Sequence, residues 1–319
     1  MFTGMLKKRQ GHLEAQEPLA WGYLSALGTV KASPNFYGTS TYLRSVLKPY
    51  QADVLFQALA HHAPKIWQSI PAEAWVIGLS SHSGEDLHQQ GVLWWLEQAH
   101  ISLSQAPQAL VCGCHPPLSA VHHPFKEALQ PWHHNCSGQH AMILALCRAL
   151  SWPMEGYHLA EHPFFQATLG QLQDDLPGGP IPWGVDGCHL PTPYMSLENT
   201  LRLMQQLILR STGKSLINWM KQSPFLVAGT DRFDTQLGAL PYPLVSKGGA
   251  EGLLVLWHIE RQETLLIKSL SGNATARNLY AWHLLAHLGW IPQALALEMA
   301  PLRDTSPFAV VPSDLEMAF

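Results

Sequence analysis

Apolar residues recur along this chain at two spacings, and the polar stretches between them set out the elements. After a polar turn at Ser33, Pro34, Asn35 and Gly38, the residues Val46, Leu47, Tyr50, Val54, Leu55 and Leu59 form one apolar face. That face predicts a helix from Ser45 to about His61. Residues 21–30, rich in aromatic and aliphatic side chains, read as a strand. Short continuous apolar runs at 75–79 and 110–112 read as two further strands, the first of them buried. The polar turn Ser80-Ser81-His82-Ser83-Gly84-Glu85 then opens a helix over 86–100. Further helices are expected over 141–150, 163–173 and 196–221, the last interrupted near Gly213. Residues 252–260 and 264–270 read as a β-hairpin turning at Arg261-Gln262-Glu263. Ser271-Gly272-Asn273 caps a final helix to about Leu288. Strands at both ends with helices between predict an α+β fold, with one antiparallel sheet made from both chain termini and a helical region. No internal repeat, low-complexity tract or linker divides the chain, so residues 1–319 are expected to form a single domain.

Composition narrows the function. The 319 residues are 47% hydrophobic and only 13% charged, enough to bury a sizeable core. A formal net charge of −4 without any basic block gives no electrostatic footprint for nucleic acid. The apolar runs, such as 142–146 and 253–257, are too short to cross a bilayer. Lys7, Lys8 and Arg9 are not followed by an apolar stretch, so no secretory signal is read and a cytoplasmic location is expected. The five cysteines, Cys112, Cys114, Cys136, Cys147 and Cys188, are an odd number, which argues against a disulfide framework. Cys147 falls in an apolar helical run and reads as core. The pairs His61-His62 and His122-His123 have no ligand spacing.

Ser45 and Lys48 carry the candidate chemistry. At i and i+3 on a helix they share a face. A serine hydroxyl attacks only when something takes its proton, and a lysine can do so only when neutral. Burial or a neighbouring cation must therefore lower the amine from its reference pKa near 10.4. Pro49 is tolerated in the first helical turn, which places Ser45 at the helix N-terminus, where the dipole favours developing negative charge. Ser-x-x-Lys alone is a weak signal.

Several segments in order resemble the rhizobial-type L-asparaginase family, also called asparaginase II. They are Arg44-Ser45-x-x-Lys48-Pro49, Ser81-His82-Ser83-Gly84-Glu85, Cys112-Gly113-x-His115-x-Pro117, and His134-Asn135-Cys136-Ser137-Gly138-x-His140-Ala141. Further on come Gly184-Val185-Asp186-Gly187-Cys188, Arg232-Phe233-Asp234-Thr235 and Lys247-Gly248-Gly249-Ala250-Glu251-Gly252. The resemblance implies a fold related to serine β-lactamases and penicillin-binding proteins, a homodimer, and hydrolysis of L-asparagine to L-aspartate and ammonia. It makes Ser45 the nucleophile candidate with Lys48 as partner, and Ser81 a second active-site serine. Lys268, on a strand after the Glu-Gly segment, fits the place of the family's distal lysine, giving the pairs Ser45–Lys48 and Ser81–Lys268. Which serine attacks stays open. For the ends of an amino-acid substrate, Arg44 suits the α-carboxylate and Asp186 the α-ammonium, with Asn135 and His140 as polar lining.

The resemblance also implies a zinc site held by two cysteines and a lysine. The cysteines carry over to Cys136 and Cys188, but the lysine position is Gln139. Zinc prefers thiolate, imidazole and carboxylate ligands. The expectation is a weaker site, a substitute such as His140 or His189, or no metal. Two other functions compete. A penicillin-interacting hydrolase or D,D-peptidase shares Ser-x-x-Lys, but Ser81-His82-Ser83 lacks the terminal asparagine of its second motif, and Lys247-Gly248-Gly249 lacks the hydroxyl of its third. A non-catalytic amino-acid-binding relative is the other.

Overall fold

The computed structural model describes residues 3–10, 12–114, 128–176, 178–300 and 308–312. His115, Pro117 and the His122-His123 pair lie outside them.

The larger sheet is built from both ends of the chain. Its strands are β1 (Gly4–Arg9), β2 (His12–Leu24), β3 (Val30–Ala32), β7 (Leu244–Gly248), β8 (Leu253–His258), β9 (Glu263–Ser269) and β10 (Phe308–Pro312). They run in the order β10-β1-β2-β9-β8-β7, every pair antiparallel, with β3 on β2. A smaller antiparallel sheet takes β4 (Ser40–Tyr42), β5 (Trp183–Val185) and β6 (Pro191–Ser196) in the order β4-β6-β5. The expected α+β class and two-ended antiparallel sheet are both present.

At β8 and β9 the sheet is buried on both faces, which explains why these strands read as continuous apolar runs. Leu253, Val255 and Trp257 of β8 point into the large core against the central helices. Leu254 and Leu256 point the other way, with Leu265 and Ile267 of β9, into a second core under the Ala274–His287 helix. The same alternation on β7 sends Val245 to the first core and Leu244 to the second. Lys247, two residues after Val245, therefore faces the central helices.

Four expected elements differ. The run at 75–79 is not a strand but most of a helix, Ala72–Leu79. It is buried on all sides, so it carries no period that separates helix from strand. It crosses the Ser137–Ala149 helix closely: a Cβ on Gly78 would collide with the Met142 side chain, and one on Gly138 with the Ile77 carbonyl. Residues 110–112 are a turn after the short helix Ala106–Ala109. The strand read over 21–30 is broken by a turn, closed by Ser25 N to Thr29 O at 3.0 Å, between β2 and β3.

The helix expected over 196–221 breaks at Arg210 rather than Gly213, between Leu197–Leu209 and Ser211–Gln222. Arg210 is extended there (ψ 141°) and turns its guanidinium onto Asp53, at 3.1 Å, and Asp175. Tyr50 donates to the same Asp175 at 2.6 Å. This network fixes the Lys48–His62 helix, and with it the residues at its start.

Candidate active site

Arg44–Leu47 form one 3₁₀ turn that runs directly into the Lys48–His62 helix. Ser45 is therefore one turn ahead of the helix, and the Lys48 amide hydrogen-bonds to the Ser45 carbonyl. Arg44 sits in the left-handed region (φ 49°), a strained place for a side chain-bearing residue. The strain is held by Arg44 N to Thr192 Oγ1 at 2.9 Å and Leu43 N to Pro193 O at 3.1 Å, both onto β6. Ser45 is buried (8% exposed), and no hydrogen bond to its Oγ is formed among the described residues. Lys48 shares its face as expected, but its Nζ donates to the Ser80 carbonyl, at 2.7 Å.

That bond brings in the second serine. The Ala72–Leu79 helix ends at Ser80, and Ser81 N hydrogen-bonds to Val227 O at 3.2 Å. Ser81 Oγ accepts a hydrogen bond from Lys247 Nζ at 2.8 Å. Asp234 braces β7 on both sides of this lysine: its Oδ1 accepts from Ser246 Oγ at 2.6 Å and from Gly248 N at 2.9 Å. Lys247 is 1% exposed, and its amine is pushed down to about 7, first by burial and then by the Lys48 charge. Two lysines do share this site, but they are Lys48 and Lys247, and it is Lys247 whose amine is pushed down.

Lys268 is not the partner of Ser81. It pairs with Leu253 across β9–β8, two strands in from β7, hence roughly 10 Å from the edge at the strand spacing. Its Nζ donates to Glu251 O at 2.5 Å and to Ser269 O. In the sequence Lys247 stands out only as part of Lys247-Gly248-Gly249, with no catalytic place. The available signal was a lone lysine at the end of a strand-like run, followed by two glycines. A Cβ on Gly249 would come 3.0 Å from Val46, so the end of β7 lies against the Ser45 turn.

His82 turns to the opposite side of the loop. Its Nδ1 accepts from Gly84 N at 3.2 Å, which leaves the proton on Nε2, 3.2 Å from Ser137 Oγ. Burial, then His88, pushes it well below its usual range, so it is neutral. It ties the loop of Ser81 to the start of the Ser137–Ala149 helix.

Arg44 and Asp186, expected at the two ends of an amino acid, form an ion pair with each other. Asp186 is set by the turn after β5, through Asp186 N to Leu190 O at 2.8 Å. His140 is fully buried and its imidazole is pushed down to about 3 by burial. Its Nδ1 lies 2.7 Å from Tyr157 OH, while Nε2 has no hydrogen-bond partner among the described residues. Asn135 is half-buried in the segment leading into the same helix.

Cys136, at that helix's N-cap, and Cys188 are both buried and hydrogen-bonded to each other. The bond from Cys188 pushes Cys136 well below its usual range, helped by Lys48; Cys188 is pushed up in return. Gln139 lies one turn along, but its amide nitrogen donates to Gln51 Oε1 at 2.7 Å. Among the described residues no three His, Cys, Asp or Glu side chains are placed to hold a metal ion. No helix there is long and apolar enough to cross a membrane.

The family model described as L-asparaginase II matches residues 6–307 of the chain. No curated protein matches it.

Proposed function

The chain belongs to the L-asparaginase II family and is thus an asparaginase-type amidohydrolase acting on a small-molecule amide; from that premise we propose that it hydrolyses L-asparagine to L-aspartate and ammonia by Ser/Lys catalysis. The observation that carries this reading is the hydrogen bond between Lys247 Nζ and Ser81 Oγ, with the amine near 7. A lysine so poised is neutral in a large fraction of molecules at working pH and takes the serine proton as the hydroxyl attacks.

In the proposed reaction Ser81 attacks the side-chain amide carbon and Lys247 receives its proton. The cationic Lys48, held on the Ser80 carbonyl, stabilises the oxyanion. Ser45, with its Oγ unbonded, relays a proton to the departing ammonia, and water then hydrolyses the acyl-serine. The Arg44–Asp186 ion pair matches a zwitterionic head group: the α-carboxylate takes the guanidinium and the α-ammonium takes the carboxylate. The unpartnered His140 Nε2 and half-buried Asn135 supply the remaining polar contacts. Lys268 has no step.

We read Cys136 and Cys188 as a thiol pair. Two thiolates fill half of a tetrahedral zinc site, and Gln139, whose amide nitrogen is engaged by Gln51, does not supply a third ligand of the usual kind. The donor set does not fit a zinc held as in the family. The β-lactamase-like fold and the homodimer, which the sequence resemblance implies, and the cytoplasmic location, expected from the lack of a readable secretory signal, remain part of the proposal.

The test is ammonia release by the purified protein from L-asparagine against L-glutamine, from neutral to alkaline pH. Faster release from L-asparagine is expected; no release above background overturns the reading.

A further inference from the structure

A second guanidinium is bonded to the loop that carries Ser81. Arg232 Nη1 donates to Ser83 Oγ over 3.4 Å. Among the described residues no carboxylate lies within ion-pair distance of it. Two acids of the adjoining segments are committed elsewhere. Asp234 accepts from Ser246 and Gly248, and Glu85 accepts from Thr230 N at 2.8 Å and Thr230 Oγ1 at 2.6 Å. The Arg232 charge is felt by Lys247, Arg277 and His88.

Arg232 is also held in place. The Thr230 bonds clamp its loop to Glu85, and Gly229 (φ 115°) has no room for a Cβ against Glu85 and Ser83. Ser83 lies two residues after Ser81, in a loop that is extended where it begins and ends, at Ser80 and Glu85. His82 points the other way, to Ser137. Ser81 and Ser83 thus share a side, about 7 Å apart by extended-chain spacing. An isolated guanidinium beside two hydroxyls is a bidentate carboxylate receptor.

The head group of the substrate is already accounted for at Arg44 and Asp186, next to Ser45. Ser83, with Arg232 bonded to it, follows Ser81 on the same loop, and in the reaction proposed below the departing nitrogen is taken to stand on that side. A carboxylate one carbon from that nitrogen, about 2.5 Å away, plus a hydrogen bond of about 2.8 Å, approaches the same spacing. Resting on the amide-hydrolase reading above, we propose that Arg232 and Ser83 form a carboxylate subsite for the leaving group. The enzyme then also cleaves β-aspartyl amides whose departing amine carries a carboxylate on the adjacent carbon. The amide C–N bond breaks as the serine ester forms, the amine leaves with the proton that the serine gave up, and water releases L-aspartate. The second product is an amino acid in place of ammonia.

The experiment compares β-aspartylglycine with N4-ethyl-L-asparagine, which replaces the distal carboxylate by a methyl group, and uses L-asparagine as reference. In wild type kcat/KM for β-aspartylglycine is expected to exceed that for the ethyl amide by about tenfold or more. Arg232→Gln should reduce this ratio to within about twofold, and Arg232→Lys should restore part of it. Because the readout is a ratio, any effect of Arg232 on Lys247 cancels. A ratio unchanged by Arg232→Gln overturns the subsite, as does turnover of L-asparagine without cleavage of β-aspartylglycine. If wild type cleaves none of the three, the hydrolase reading itself fails, and the subsite with it.

Discussion

Ser81 takes its hydrogen bond from Lys247, an amine presented by the edge strand β7, and not from Lys268 two strands further in. Lys247→Met should therefore lower kcat/KM for L-asparagine by about a thousandfold, in the range that loss of a general base costs. Lys268→Met should cost less than about tenfold. Steady-state kinetics of the two variants check this; a reversed order would move the proton acceptor to Lys268.

The same change should stabilise the protein. Folding pushes the Lys247 amine from 10.5 to about 7. Between those values the unfolded chain binds the proton that the folded chain gives up, so stability rises with pH across that window and the burial cost is full below it. Removing the amine removes that cost, less the hydrogen bonds to Ser81 and the Gly248 carbonyl. At pH 7 the expected gain is about 1–3 kcal/mol, seen as a higher denaturation midpoint than wild type. A lower midpoint would show that the bonds outweigh the buried charge.

Activity should rise with pH through an apparent pKa near 7, as Lys247 becomes neutral. Lys48 is the largest charge holding it down, so removing that cation favours the protonated amine. In Lys48→Met the Lys247 titration, followed by NMR of labelled lysine, should move upward. A downward move would contradict the arrangement described for the two lysines.

Ser81→Ala and Ser45→Ala should each remove nearly all turnover, and the double variant should be little worse than either, since groups acting as one unit are not additive. Near-normal turnover in Ser81→Ala would assign the attack to Ser45.

Gln139→Lys should raise zinc affinity, because it returns a nitrogen ligand one turn from Cys136 and releases the bond to Gln51. Titration of both proteins against a competing chelator decides it. Wild type holding stoichiometric zinc as tightly as the variant would mean that another residue supplies the third ligand.

The sequence by itself determined the class of fold, because strand-like runs at both ends and amphipathic helices between them are local patterns. It also placed Ser45 and Lys48 on one face, since i and i+3 fix such a relation without knowledge of the rest. Residues 75–79 escaped it because a fully buried segment shows no period, and the break at Arg210 because its cause is an ion pair to residues distant in the chain. Only the tertiary structure decided which lysine reaches Ser81. Lys247 and Lys268 both lie on strands facing the central helices, and strand order, a set of long-range pairings, puts one of them at the edge and the other inside. The depression of Lys247, the union of Arg44 with Asp186, and the isolation of Arg232 likewise depend on charges brought together across more than a hundred residues, which no local pattern encodes.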